Sequence, residues 1–130
     1  MTRLVRLESQ ATVLLVQDVV VAVEYYHDRL GFEFSYFDAN PRHYAYVNRD
    51  DVWIHFACFH GARPRPNSEV VPPDMFDVYI YVDDIDALHE ELVERGADLL
   101  HGPTDQAYGC REVRVRDPHG YILAFGKLLT

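Results

Sequence analysis

Few residues of this chain stand where covalent or acid–base chemistry would need them. Cys58 and Cys110 are its two cysteines. That is too few for a disulfide framework, they lack metal-type spacing, and neither pairs with a histidine at a persuasive interval, so both are read as reduced thiols. No glycine-rich phosphate loop and no G-x-S-x-G elbow occurs. Asp83, Asp84 and Asp86 gather at a strand end and helix start, where capping and solvation account for them. Among the histidines, His27, His43, His60, His89, His101 and His119 fall on helix surfaces, loops or turns and are expected to be solvated. The remaining signal is aromatic. In Phe76 to Val82 (FDVYIYV), Asp77, Tyr79 and Tyr81 alternate with Val78, Ile80 and Val82, so a strand would send the two sets to opposite faces. Trp53 and His55 share a face by the same rule. Tyr36, Tyr44, Tyr46 and Tyr108 lie in neighbouring strands or at their ends. Such rings offer flat faces for stacking and hydroxyls for orientation, and they attract cations, more so with carboxylates nearby. The competing expectation is that these rings only fill a core.

Composition narrows the partners. The chain has 130 residues and a net charge of −9. Nucleic-acid binding needs a basic footprint to displace counterions, so it is not expected, and anionic membrane surfaces are disfavoured for the same reason. A cationic small molecule would be steered toward the protein. No apolar run is long enough to span a bilayer, and the first residues lack the apolar core of a signal peptide, so a cytoplasmic location is expected.

The elements that must position the aromatics recur twice. Ala11 to Val16 reads as a strand, Asp18 caps a helix built on Val19, Ala22, Val23, Tyr26 and Leu30, and Gly31 stops it. Strands follow at Phe32 to Phe37, His43 to Asn48 and Val52 to Phe59, with Asn48 to Asp51 turning between the last two. Pro64, Pro66, Pro72 and Pro73 mark 60–75 as a linker. A strand from Phe76 to Val82 then leads to a helix capped by Asp84 and stopped by Gly96. Ala97 to Leu100 opens another strand, and Asp117-Pro118-His119-Gly120 joins Arg111 to Arg116 and Tyr121 to Phe125 as a hairpin. Val16-x-Asp18 to Gly31 and Val82-x-Asp84 to Gly96 match at an offset of about sixty-five residues. The expected architecture is α+β: one domain over 1–130, with βαβββ repeats at about 11–59 and 76–127. One unit cannot cover both faces of its sheet. Two units curling into a cup, helices outside, leave a concave ligand site.

The repeat, the V-x-D helix starts, Arg29 to Phe32 (RLGF) and Arg116 to Phe125 (RDPHGYILAF) resemble the vicinal oxygen chelate superfamily of glyoxalases, extradiol dioxygenases and bleomycin-resistance proteins. Ala22 to Tyr26, Asp28 to Phe32, Arg49 to Val52, Tyr108-Gly109 and Arg111-Glu112 are most similar to the bleomycin-resistance branch. The resemblance implies a metal quartet in the enzymes, and its positions fall here on Ala11, His55, Asp77 and Ala124. Alanine has no donor atom, and two ligands are fewer than a catalytic divalent metal wants. His55 and Asp77 are instead expected to hydrogen-bond each other or a ligand. The resemblance also carries the drug-stacking aromatic positions of the bleomycin-resistance proteins onto Tyr36, Tyr44, Tyr79, Tyr81 and Tyr108, with tyrosine often standing where those proteins have Phe or Trp.

The resulting expectation is a metal-free homodimer that sequesters a planar cationic small molecule, such as a glycopeptide antibiotic, without catalysis. Its ligand-binding residues would be Tyr36, Tyr44, Trp53, His55, Asp77, Tyr79, Tyr81 and Tyr108. The alternative is a lyase or dioxygenase with a divalent metal on His55 and Asp77, completed by Glu112. A third reading is an interaction domain whose cup is filled.

Overall fold

The computed structural model describes residues 2–130. The chain runs β1 (Ala11–Val16), α1 (Val19–Leu30), β2 (Glu33–Tyr36), β3 (Tyr44–Arg49) and β4 (Val52–Cys58), then a 3₁₀ turn at Asn67–Glu69. The second half follows as β5 (Val78–Tyr81), α2 (Ile85–Arg95), β6 (Asp98–Asp105), β7 (Cys110–Arg116) and β8 (Ile122–Leu128). Each half is one βαβββ unit with a four-stranded sheet, ordered β1-β4-β3-β2 in the first and β5-β8-β7-β6 in the second. In both, the first strand returns beside the last in parallel, Val13 opposite His55 and Tyr79 opposite Ala124, while the remaining pairs are antiparallel. The α+β repeat architecture expected above is the one observed.

The helix boundaries follow from local chemistry. Asp18 accepts from the amides of Val20 and Val21, and Asp84 from that of Ala87, so each carboxylate satisfies first-turn donors that the helix leaves free. Gly31 and Gly96 close the helices at φ of 77° and 76°, left-handed values that a Cβ would penalise. The strands differ from expectation mainly in length. β6 continues to Asp105, past the expected Leu100, by absorbing irregularities on either side of His101. β8 begins one residue later than Tyr121, whose amide bonds to Asp117.

One apolar core serves both repeats. It joins Val19, Tyr26 and Leu30 of α1 and Ile54 and Phe56 of β4 to Ile80, Leu92, Val113 and Leu123 of the second half. Polar ties cross the same junction. Tyr26 Oη donates to Asp117 Oδ2 at 2.8 Å, and Tyr25 Oη accepts from the Asp98 amide while donating to Arg116 O. Arg49 pairs with Glu91 at 2.8 Å. Asp117 is 4% exposed. Burial pushes its carboxyl up to about 6, against the lowering effect of bonds from Tyr26, His119 and Tyr121. His119 differs from the solvated expectation: it is half-buried, and its Nε2 accepts from the Asp18 amide, a backbone donor of the other repeat. His27 is exposed, with Nδ1 2.7 Å from Phe32 O. Among the described residues no helix is long and apolar enough to cross a membrane.

Candidate functional site

The helices cover one face of each sheet and leave the other open. On the first sheet Ala45, Val47, Ile54 and Phe56 are buried under α1, so their alternates Tyr44, Tyr46, Trp53 and His55 stand on the open face. The strand pairing sets Tyr46 opposite His55, with ring centres 4.7 Å apart and planes at 82°. Tyr44 Oη lies 2.9 Å from His55 Nδ1 and also meets Tyr46 edge-on at 5.5 Å. Phe37 packs on Tyr44 from the β2–β3 loop. These rings, with Asp38, His43, Ala57 and Cys58, wall an open cavity of about 520 Å³. Asp38 shapes its rim by accepting from the His43 and Tyr44 amides. Those bonds, His43 first, hold its carboxylate below the ordinary range.

The second sheet presents a different surface. Val78 and Ile80 face the core as expected, while Tyr79 and Tyr81 lie on the open side, 5.1 Å apart. Beside them Glu112, fully buried, accepts four hydrogen bonds. Oε2 receives Tyr79 at 2.8 Å and Tyr108 at 2.7 Å, and Oε1 receives Arg114 Nε at 2.9 Å and Nη2 at 2.7 Å. Burial alone would raise the Glu112 carboxyl, but donation from Tyr108, Arg114 and Tyr79 outweighs it and keeps the group ionised. Burial, then the neighbouring thiol and carboxylate, push the Tyr79 phenol far up. Arg114 also donates to Asp74 O, and its guanidinium lies 5.3 Å from the Phe76 ring centre. Gly126 makes this cluster possible. A Cβ there would fall on the Tyr79 hydroxyl and come within 2.8 Å of Cζ.

The residues singled out in the sequence therefore separate. Tyr44, Trp53 and His55 share the first sheet, Tyr79 and Tyr81 the second, with Tyr108 joining them through Glu112 from the β6–β7 turn. Among the described residues no hydrogen bond, salt bridge or aromatic contact links the two groups. Tyr36 lies elsewhere. It pairs with Ala45 and so points to the helix side, where it meets Phe34 edge-on and carries Arg42 at 3.8 Å. Asp77 is engaged by backbone: Oδ1 accepts from the Asn67 amide and Oδ2 from that of Ile122, tying the linker to β8. His55 and Asp77 thus bond other partners rather than each other. Sequence reasoning passed over Phe37, Arg114 and Gly126. A Glu112-x-Arg114 spacing on one strand face is the only local sign of the buried ion pair.

The donor set does not suit a metal. Four donors saturate the Glu112 oxygens, two amides hold Asp77, and the His55 Nδ1 is paired with Tyr44. Among the described residues no group of three or more His, Cys, Asp or Glu side chains is placed to hold an ion.

Known structures share this architecture. The bleomycin-binding protein of bleomycin-producing Streptomyces verticillus, solved with copper(II)-bleomycin, is 29% identical, with 94% of this chain and 97% of that one covered at a TM-score of 0.71. TioX from Micromonospora sp. ML1 is 19% identical over 94% and 99% of the two chains, TM-score 0.73. TnmS3, an antibiotic binding protein from Streptomyces sp. CB03234, is 19% identical over 97% and 99%, TM-score 0.70. These last two are likenesses of fold. No curated protein matches the sequence. The Glyoxalase/Bleomycin resistance protein/Dioxygenase superfamily model matches residues 9–125, and with both βαβββ units in place the chain belongs to that superfamily.

Proposed function

We propose that this chain is a metal-independent small-molecule-binding protein. It takes up a planar cationic ligand, such as a glycopeptide antibiotic, by stacking, and sequesters it in the cytoplasm without converting it. The observation that carries the reading is the open aromatic face of the first sheet, where Phe37, Tyr44, Tyr46 and His55 wall about 520 Å³. Flat heteroaromatic groups bind such edges and faces, and a net charge of −9 favours cations among them. The likeness to a protein solved with copper(II)-bleomycin supports the same direction.

The working unit of this reading is a homodimer. Val13, Leu15 and Trp53 are 50%, 43% and 39% exposed around the first aromatic group, and the second group stands apart on the other sheet. A two-fold partner laying its second-sheet face on this one would cover them and build two equal clefts. Calorimetric titration with bleomycin tests the proposal, together with fluorescence of Trp53, the sole tryptophan. One ligand per chain and a changed Trp53 signal are expected, on a particle that sediments as a dimer. No heat at high concentration would sink the antibiotic reading. Close to one metal per chain in protein purified without chelator or histidine tag would overturn metal independence and redirect assays to glyoxalase- or dioxygenase-type turnover.

A further inference from the structure

Most polar groups around the first aromatic cavity are already engaged. Asp38 accepts from the His43 and Tyr44 amides, the Cys58 thiol donates to Gln17 O at 3.4 Å, and Tyr44 Oη meets His55 Nδ1 at 2.9 Å. Tyr46 Oη and His55 Nε2 are different. Among the described residues neither has a hydrogen-bond partner, and neither is shut off from solvent. The two side chains are cross-strand neighbours with ring centres 4.7 Å apart, and both line the cavity. A ligand that stacks here strips water from these two atoms. It must return a hydrogen bond to them or lose affinity.

Tyr44 decides which kind of bond His55 can make. A neutral imidazole carries one N–H, and the bond made by one nitrogen fixes the role of the other. A phenol is the stronger donor of such a pair and an imidazole nitrogen the stronger acceptor. Tyr44 Oη therefore donates to Nδ1, and the proton resides on Nε2. His55 faces the cavity as a donor with no lone pair to offer, whereas the Tyr46 hydroxyl can rotate to donate or accept. Tyr44 also places the anion. Its amide, with that of His43, holds the Asp38 carboxylate at the rim. One tyrosine side chain thus separates an inner N–H donor from an outer carboxylate.

We propose that His55 is the specificity-determining residue of this site, with Tyr44 as its positioning residue. Through Nε2–H it selects planar ligands that carry a hydrogen-bond acceptor on the ring edge, a ring nitrogen or a carbonyl oxygen, and a cationic group at the end that reaches Asp38. The inference rests on the stacking reading above and adds the chemical class of the ligand. Stacking is nearly indifferent to whether a ring-edge atom is nitrogen or C–H. The His55 donor is not, because a C–H set against it leaves a desolvated N–H unpaired.

The test has two arms. Long-range nitrogen–proton NMR at about pH 8 reads the tautomer without any ligand, with the His55 signals assigned by their loss in His55→Phe. The Nε2–H form is expected in the wild type, and Tyr44→Phe should shift the population toward Nδ1–H. The second arm titrates two probes of the same shape, a bithiazole and a bithiophene with the same alkylammonium tail, and follows amide shifts so that weak binding is seen. Wild type should bind the bithiazole about three- to tenfold more tightly, the worth of one hydrogen bond. His55→Phe, its fold verified by circular dichroism, should bind both alike. An Nδ1–H tautomer in the wild type would overturn the proposal, as would equal binding of the two probes or a preference that survives in His55→Phe. Equal binding leaves the stacking reading intact, whereas no binding of either probe would sink that reading and the proposal with it.

Discussion

Gly126→Ala adds one methyl group, yet the structure predicts a substantial loss of stability. Gly126 is not at positive φ, so alanine meets no backbone penalty and would ordinarily stabilise a strand through the unfolded state by about 0.4–1 kcal/mol. The cost comes from Tyr79. The new Cβ would overlap its hydroxyl and approach Cζ and Cε1 to 2.8 and 3.0 Å, so the ring must swing away. That movement breaks the 2.8 Å bond to Glu112, which is fully buried and ionised. A hydrogen bond to a charged group is worth roughly 1.5–3 kcal/mol, and overpacking adds roughly 1–3 kcal/mol. Against the backbone gain, the net expectation is a destabilisation of about 3 kcal/mol, or roughly 10 °C in melting temperature for a domain of this size. Thermal unfolding by circular dichroism measures it, and a cycle with Tyr79→Ala isolates the cause. In the Tyr79→Ala background the same glycine substitution should cost less than about 0.5 kcal/mol. Wild-type stability for Gly126→Ala, or an equal cost in both backgrounds, would refute the steric account.

Arg114→Met should destabilise by about 3–5 kcal/mol in chemical denaturation, because it leaves Glu112 buried without its cation, and adding Glu112→Gln should recover much of the loss. Asp117 controls a pH dependence of defined sign. Its folded carboxyl is pushed up to about 6 from an ordinary 3.8, so its contribution is complete below about pH 4 and is lost as pH rises through 6. Stability of wild type minus Asp117→Asn should therefore fall by about 3 kcal/mol across that window in denaturation at fixed pH values, and a flat difference would contradict the burial of the group. Tyr44→Phe should keep the fold within about 1.5 kcal/mol while releasing the His55 imidazole. Tyr44→Ala should weaken bleomycin binding in calorimetry by up to about tenfold, the worth of one aromatic contact.

Much of the architecture was legible because its signals are local. An aspartate that accepts from first-turn amides and a glycine that tolerates positive φ delimit α1 and α2 without reference to the rest of the chain. The alternation of Val78 and Ile80 with Tyr79 and Tyr81 assigns faces by the pleat alone, and the spaced recurrence of these signs announces the repeat. Tyr36 shows where alternation stops helping. Its face depends on its pairing with Ala45, and a four-residue edge strand gives no internal indication of that register. Asp77 shows a second kind of gap, since a carboxylate on the open side of a strand is free or occupied according to which distant amides arrive. Here those amides belong to Asn67 and Ile122. The Glu112 cluster is the clearest case. Tyr79, Tyr108, Arg114 and the missing side chain of Gly126 converge from three strands and the β6–β7 turn, and only their packing turns an unremarkable acid into a buried, saturated ion that no longer has a lone pair to offer a metal. Short-range sterics and capping are written in sequence, whereas register across strands and competition for buried hydrogen bonds exist only once the chain has closed on itself.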